Sequence, residues 1–189
     1  MNRNVLKSII VVSNTGPLLS AFQCNRTDLL ARYFARIYIP ASEVEEFEHH
    51  DAGDRLEELI KDGLVVVEHL SSAEVAAAKD IARRIVACPS STAPDYHHHL
   101  PEAEAIVLAQ REVLEVSRIL LEERAARQVA QQLGLLLTGF IGVLLLACDE
   151  QLLTPAAMRI LLETCRQCGT YYSDKLIDQV CQQCGELGK

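Results

Sequence analysis

Oxygen-bearing side chains stand at the ends of two apolar runs in this sequence. Asn14 follows the β-branched run "IIVV", and Glu122 and Glu123 follow the run "RILL". The carboxyl ends of parallel strands gather at one edge of a sheet, so we expect these three side chains to lie near one another. Each position also has a structural alternative, because asparagine is a favoured helix N-cap and glutamate is favoured in the first helical turn.

A further acidic position, Glu104, lies in the segment "EAEAIVLAQ", residues 102–110. This segment is apolar nearly all round, which predicts a buried helix and a partly buried Glu104 carboxylate. A buried carboxylate requires a cation, a hydrogen-bonding partner or a proton. The structural alternative is an ion pair with an arginine. The chemical alternative is metal ligation, because carboxylate oxygens suit hard divalent ions.

Strand-like runs alternate with helical segments along the chain and predict the framework that holds these residues. The alternation is typical of an α/β fold with a mostly parallel central sheet. In "RILLEERAARQVAQQLGLLLTG", apolar residues recur at helical spacing between two strand-like runs, which predicts a βαβ unit. The five runs are SIIVV, RIYIP, LVVVE, RILLE and LLLTG.

Length and composition limit the classes of protein that the chain can form. The 189 residues are 49% hydrophobic, so we predict a single domain over 1–189, with a core at about 8–150 and a helical extension at about 151–189. The net charge of −8 argues against binding nucleic acid by bulk electrostatics. The apolar stretch 133–148 is too short and too glycine-rich to span a membrane, and no secretory cleavage site is evident near the N-terminus, so a cytoplasmic location is expected.

Five motifs, in their order along the chain, resemble the PIN-domain superfamily. They are "VVSNTGPLL", "IPASEVEEF", "PEAEAIVLA", "LLEERAARQVAQQLG" and "TGFIGVLL". The similarity covers roughly residues 8–180 and is strongest to a branch of short prokaryotic PIN-like proteins of largely unassigned function. It implies a three-layer α/β/α fold in which acidic residues at the carboxyl edge of the sheet hold Mg²⁺ or Mn²⁺ for RNA cleavage.

The resemblance assigns a role to each candidate residue. Asn14 matches the acid after the first strand, Glu46 the acid of the following helix, Glu104 the third acid, and Glu122 or Glu123 the fourth. The implied reaction is metal-assisted phosphodiester hydrolysis, with Glu46, Glu104 and Glu122 as the catalytic carboxylates.

Two departures from the superfamily pattern weaken the implied site. Asn14 offers an oxygen but no negative charge where aspartate is usual, and the fourth position has glutamate instead of aspartate. Lower metal affinity is expected, so a catalytically weakened module that binds RNA or protein is the first alternative to a nuclease.

The predicted partners follow from the same resemblance. Arg118, Arg124 and Arg127 lie near the fourth acid and are candidates for contact with the backbone of single-stranded RNA, although arginines on an amphipathic helix often form only its solvated face. A toxin of a toxin–antitoxin pair would need an antitoxin protein, because a free ribonuclease harms its host. A homodimer is also expected, since dimers are the commonest assemblies.

The C-terminal cysteines support a second alternative, a zinc-dependent interaction protein. The motifs "CRQCG" and "CQQCG" form a CxxC pair whose spacing suits a tetrahedral zinc site. The same segment also fits two helices with glycine C-caps, in which cysteines at i and i+3 are small core residues. Because seven cysteines is an odd number in a chain expected to be intracellular, a disulfide framework is not predicted. The four cysteines are Cys165, Cys168, Cys181 and Cys184.

Overall fold

The computed structural model describes residues 9–91 and 93–187 and contains one five-stranded parallel sheet. Residues 1–8, 92 and 188–189, which the single-domain prediction includes, lie outside the described part of the chain. The strand order is β3-β2-β1-β4-β5, so the predicted α/β fold is confirmed. The strands are β1 (Ile10–Ser13), β2 (Arg36–Pro40), β3 (Val65–Glu68), β4 (Arg118–Leu120) and β5 (Leu137–Thr138).

Ten α-helices in the described residues cover the two faces of this sheet. Short 3₁₀ turns precede some of them, including one at Ala41–Glu43 and one at Tyr96–His99. The helices are α1 (Thr15–Gln23), α2 (Thr27–Tyr33), α3 (Val44–His49), α4 (Gly53–Lys61), α5 (Ser72–Val86), α6 (Leu100–Ala109), α7 (Arg124–Gln132), α8 (Phe140–Asp149), α9 (Pro155–Gln167) and α10 (Asp174–Leu187).

Alternating side chains of the strands divide the interior into two cores. Val11 packs with α1–α4 and α8–α10 on one face, whereas Val12 packs with α5, α6 and α7 on the other. Both faces of the sheet are buried, which explains why its strands appear as continuous apolar runs in the sequence. The predicted three-layer α/β/α arrangement is therefore confirmed.

The strand order changes direction at β1, because β2 and β3 lie on one side of β1 while β4 and β5 lie on the other. β1 pairs with β2 on one side and with β4 on the other, and all of these pairings are parallel. A crevice opens at the carboxyl ends of two such strands, and open α/β sheets bind ligands there. Asn14 follows β1 and Glu122 follows β4, so the sequence pattern places both residues at this switch point.

The stretch 133–148, which the sequence predicts is too short to span a membrane, forms β5, a turn and the buried helix α8. β4, α7 and β5 make the expected βαβ unit, and Gly134 ends α7 with a φ of 80°, a conformation that favours glycine. The next helix, α8, buries Phe140, Val143 and Leu144. Across the described residues, no helix is both long enough and apolar enough to cross a membrane.

Helices α9 and α10 form the predicted C-terminal extension, and they pack into the same core as α1 and α8. Met158, Leu162 and Ile177 are completely buried in it. A disulfide joins Cys148 in α8 to Cys184 in α10, with a Cα–Cα distance of 5.3 Å. This linkage differs from the expectation that a chain with an odd number of cysteines has no disulfide framework.

The four C-terminal cysteines do not assemble the zinc site that their spacing suggests. The Cys184 sulfur is bonded to Cys148, the Cys165 thiol contacts the backbone oxygen of Ser20, and Cys168 is exposed. Cys181 is buried between helices. The described residues give the zinc alternative no support, because three of the four cysteines serve as small core residues of packed helices.

Candidate active site

Asn14 lies directly after β1, with a side chain that is only 6% exposed. It occupies the N-cap position of α1, but its side chain makes no capping hydrogen bond. Its amide nitrogen instead donates to Oε1 of Glu102 at 3.4 Å. The side chain of Asn14 thus turns toward acidic residues of other elements and away from the helix that it precedes.

Thr15 joins two carboxylates from the region of α3. Its hydroxyl oxygen lies 2.8 Å from Glu43 Oε2 and 2.7 Å from Glu46 Oε2. One hydroxyl hydrogen cannot satisfy both carboxylates fully. Burial raises the pKa of Glu43 well above its usual range, and Glu102 and Glu46 raise it further against the lowering effect of Thr15. A protonated Glu43 could donate to Thr15 while Thr15 donates to Glu46, so that both contacts of the Thr15 hydroxyl would be satisfied.

Glu102, rather than Glu104, is the acid of α6 that joins this group. Burial raises the pKa of Glu102 to about 7, and the nearby charges of Glu123 and Glu46 contribute in the same direction. Glu104 lies two residues further along the helix, where Ser42 donates a hydrogen bond to its Oε2. We name Asn14, Thr15, Glu43, Glu46 and Glu102 together the acidic cluster.

The acidic cluster contains most of the unsatisfied buried polar atoms in the described part of the molecule. Four buried side-chain polar atoms there lack a hydrogen-bond partner, and three of them are Asn14 Oδ1, Glu43 Oε1 and Glu102 Oε2. Buried polar atoms in proteins are nearly always paired, so such a concentration requires an explanation. All three are oxygen acceptors, and a hard divalent cation is the partner that would satisfy them together.

The two glutamates after β4 have different roles. Glu123 caps α7, accepting hydrogen bonds from the backbone nitrogens of Ala125 at 3.0 Å and Ala126 at 2.5 Å. Glu122 turns toward α1 and α8 and is held by Phe140, Tyr172 and Ser20. Burial raises the pKa of Glu122, although these hydrogen bonds and Arg127 partly offset the rise.

The three arginines proposed for RNA contact lie in different places. Arg118 begins β4, about 13 Å along the chain from Glu122 and at the opposite edge of the sheet from the acids. The Arg127 guanidinium donates to the backbone oxygens of Leu121 and Thr138, so it ties β4 to β5. Arg124 is exposed at the start of α7, directly after Glu123. Only Arg124 combines solvent exposure with a position beside the crevice.

The structure therefore brings together Asn14 and Glu46 of the predicted set and adds Thr15, Glu43 and Glu102. Two of these additions had a signal in the sequence. Glu43 shares a helical face with Glu46 and Phe47, at spacings of three and four residues, and Phe47 is fully buried. Glu102 follows Pro101, which marks the first turn of a helix, where acidic side chains are favoured. Thr15 carried no comparable signal.

The donor set of the acidic cluster fits a divalent cation, although the side chains are not already arranged around one point. No group of three or more His, Cys, Asp or Glu side chains in residues 9–91 and 93–187 stands in a ready ligand arrangement. Thr15 holds Glu43 and Glu46 toward itself, and Asn14 holds Glu102. These side chains would have to rotate to direct their oxygens at a shared ion.

Comparison with known proteins agrees with this fold. A family model described as a PIN domain matches residues 10–186, nearly the full chain. No curated protein and no solved structure matched the chain. PIN-domain proteins typically use divalent metal ions such as Mg²⁺, and oxygen-rich sites of this kind suit those ions. The chain belongs to the PIN-domain family, whose members are generally nucleases.

Proposed function

We propose that this protein is a metal-dependent endoribonuclease that cleaves single-stranded RNA at the acidic cluster. The observation that carries the proposal is the concentration of three unpaired, buried oxygens on Asn14, Glu43 and Glu102. These residues come from β1, the α3 region and α6, so only the fold brings them together. Leaving such groups unpaired costs about 1–3 kcal/mol each, which a bound cation would offset.

Mg²⁺ or Mn²⁺ would be held by the oxygens of Asn14, Glu43, Glu46 and Glu102, with Glu122 as a further ligand from the end of β4. Glu123 remains the cap of α7. When bound, a divalent ion supplies polarisation of a phosphate and a lowered pKa for water. Burial raises the pKa of Glu43 and so favours its protonated form, and a proton held there would have to leave before Glu43 could act as a ligand. Ion binding should therefore release protons and strengthen as pH rises.

The charge of the acidic cluster also determines how RNA is bound. Without a cation, the carboxylates repel a phosphate group, so RNA should enter the crevice only when the ion is present. Arg124 is an exposed cation directly after Glu123 and is the residue proposed to contact the RNA backbone. The other two predicted arginines are not part of this proposal, because Arg118 lies at the opposite edge and Arg127 holds β4 and β5 together.

The direct test is titration of the purified chain with Mn²⁺ by calorimetry, followed by cleavage of a fluorescent single-stranded RNA. We expect saturable Mn²⁺ binding, and we expect cleavage that EDTA stops. Mn²⁺ binding without any cleavage would instead favour a weakened RNA- or protein-binding module, for which the uncharged Asn14 is the supporting observation. Absence of Mn²⁺ binding would refute the metal-dependent function.

Asn14→Asp should strengthen Mn²⁺ binding by about tenfold or more, because it adds a negative charge beside Glu102. The same charge should lower the melting temperature in EDTA and enlarge the rise in melting temperature that Mn²⁺ produces. Asn25→Asp is the matched control, since it changes the net charge equally at an exposed position after α1. Equal effects of the two substitutions on Mn²⁺ affinity would show that Asn14 does not contact the ion.

The biological role proposed here is that of a toxin controlled by an antitoxin protein. PIN nucleases bind RNA and often pair with antitoxins, which supports this role at the level of the family. A homodimer remains a prediction. Size-exclusion chromatography with light scattering measures the oligomeric state. Growth of cells that express the chain alone tests the toxin role.

A further inference from the structure

The segment between α9 and α10 reaches across the molecule to Glu122. Tyr172, in this segment, is 6% exposed, and its hydroxyl donates to Glu122 Oε1 at 3.2 Å. The same hydroxyl lies 3.3 Å from the hydroxyl of Ser20 in α1. The C-terminal extension thus supplies a buried polar group to the acid that follows β4.

The two oxygens of Glu122 have different environments. Oε1 accepts from both the Tyr172 hydroxyl and the backbone nitrogen of Phe140, the latter at 3.2 Å. Oε2 has one long contact, 3.4 Å from the Ser20 hydroxyl. A Cβ atom added to Gly16 would lie 3.7 Å from Oε2, so this oxygen approaches the first turn of α1, directly after Asn14 and Thr15.

Several contacts hold the segment that carries Tyr172 in place. The Thr170 hydroxyl donates to the Gln23 side chain at 2.7 Å, and the Cys165 thiol donates to the backbone oxygen of Ser20 at 3.3 Å. The disulfide between α10 and α8 fixes the far end of the extension. The extension is therefore attached along α1, the helix whose first residues belong to the acidic cluster.

We propose that Tyr172 is a positioning residue, which fixes Glu122 Oε1 so that Oε2 stays beside the first turn of α1, next to Asn14 and Thr15 of the acidic cluster. The C-terminal extension then contributes to the metal site through Tyr172. This inference rests on the proposed metal-dependent function. Groups that hydrogen-bond to a ligating carboxylate orient it, and their loss typically weakens metal affinity by about 10–100-fold.

The test uses Tyr172→Phe, which keeps the buried ring and removes only the hydroxyl. Tyr171→Phe is the matched control, because Tyr171 is the adjacent residue and is 91% exposed. Three quantities are measured on the full chain. They are the Mn²⁺ affinity by calorimetry, the melting temperature in EDTA, and the cleavage rate over a range of Mn²⁺ concentrations. We expect Tyr172→Phe to raise the Mn²⁺ dissociation constant at least tenfold, while Tyr171→Phe leaves it unchanged.

A purely structural role for the hydroxyl would produce a different pattern. Loss of positioning should raise the Mn²⁺ concentration for half-maximal cleavage, with recovery of kcat at saturating Mn²⁺. Lower stability in EDTA with an unchanged Mn²⁺ dissociation constant would overturn the proposal. Should Tyr172→Phe fail to fold, Ser20→Ala, which removes the hydroxyl that contacts both the Tyr172 hydroxyl and Glu122 Oε2, is judged by the same criterion.

The failure of this inference differs from the failure of the proposed function. If the wild-type chain binds Mn²⁺ and Glu102→Gln weakens that binding while Tyr172→Phe does not, only the role of Tyr172 is wrong. If the wild-type chain binds no Mn²⁺, the metal-dependent function is wrong and the positioning role is wrong with it.

Discussion

Replacing Glu102 with glutamine is expected to slow RNA cleavage on the order of a thousandfold, since a bound ion supplies several kcal/mol of transition-state stabilisation and about 4 kcal/mol corresponds to that factor. Glutamine keeps the size of the side chain and removes its charge. Glu102 is the acid of α6 that contacts Asn14, and its Oε2 is buried without a partner. Single-turnover cleavage of RNA at fixed Mn²⁺ measures the effect.

Glu104→Gln is the matched control for this experiment. It makes the same chemical change two residues along the same helix, at a carboxylate that accepts a hydrogen bond from Ser42. We expect this variant to keep most of the wild-type cleavage rate. The reverse outcome, with Glu104→Gln inactive and Glu102→Gln active, would restore the assignment that the family motif suggested and refute the cluster seen in the structure.

The framework of the site could be predicted from the sequence because strand ends are marked clearly. Asn14 interrupts a β-branched run, and Glu122 interrupts another apolar run, so these two residues mark the sheet edge at which β1 and β4 end. Parallel strands buried on both faces give continuous apolar runs, and these patterns do not depend on side-chain detail. Fold class and sheet edge therefore follow from local composition.

The choice between Glu102 and Glu104 could not be made in this way. α6 is apolar nearly all round, so its sequence shows no polar stripe that would indicate which side faces the crevice. The two residues are about 200° apart around the helix, and only packing against β1 and β2 determines which one meets Asn14. When all sides of a helix are apolar, the sequence periodicity does not indicate which side faces the crevice.

Contacts between segments that are distant in the sequence could not be predicted either. Tyr172 lies 50 residues from Glu122 along the chain, in a segment without periodicity. Cys184 is 36 residues from Cys148, and its CxxC motif suggested zinc instead of a disulfide. Both contacts depend on how α9 and α10 pack against α1 and α8, which local patterns do not encode.

Metal-free protein is expected to lose about 3 kcal/mol of unfolding free energy through Glu102 as the pH rises from 4.5 to above 7. The pKa of this carboxyl is about 7 in the folded protein, against 4.5 for a glutamate that is not buried. Below pH 4.5 the Glu102 carboxyl is protonated in both the folded and the unfolded state, so its full contribution to the unfolding free energy is present. Between those values the unfolded chain releases the proton first, and above pH 7 an ionised carboxylate remains buried in the folded state.

Denaturant unfolding in EDTA at pH 5, 6, 7 and 8 measures this loss when the wild-type chain is compared with Glu102→Gln. Taking the difference between the two proteins cancels the contributions of the titratable groups that both proteins share. The variant should match the wild type near pH 5 and exceed it by up to about 3 kcal/mol at pH 8. Mn²⁺ should reverse the order at pH 8, because the ion stabilises only the protein that binds it well. Glu104→Gln should follow the wild type throughout.

A constant difference between Glu102→Gln and wild type from pH 5 to 8 would mean that the buried acid near Asn14 is not ionising in this range, and the charge argument for the acidic cluster would then fail.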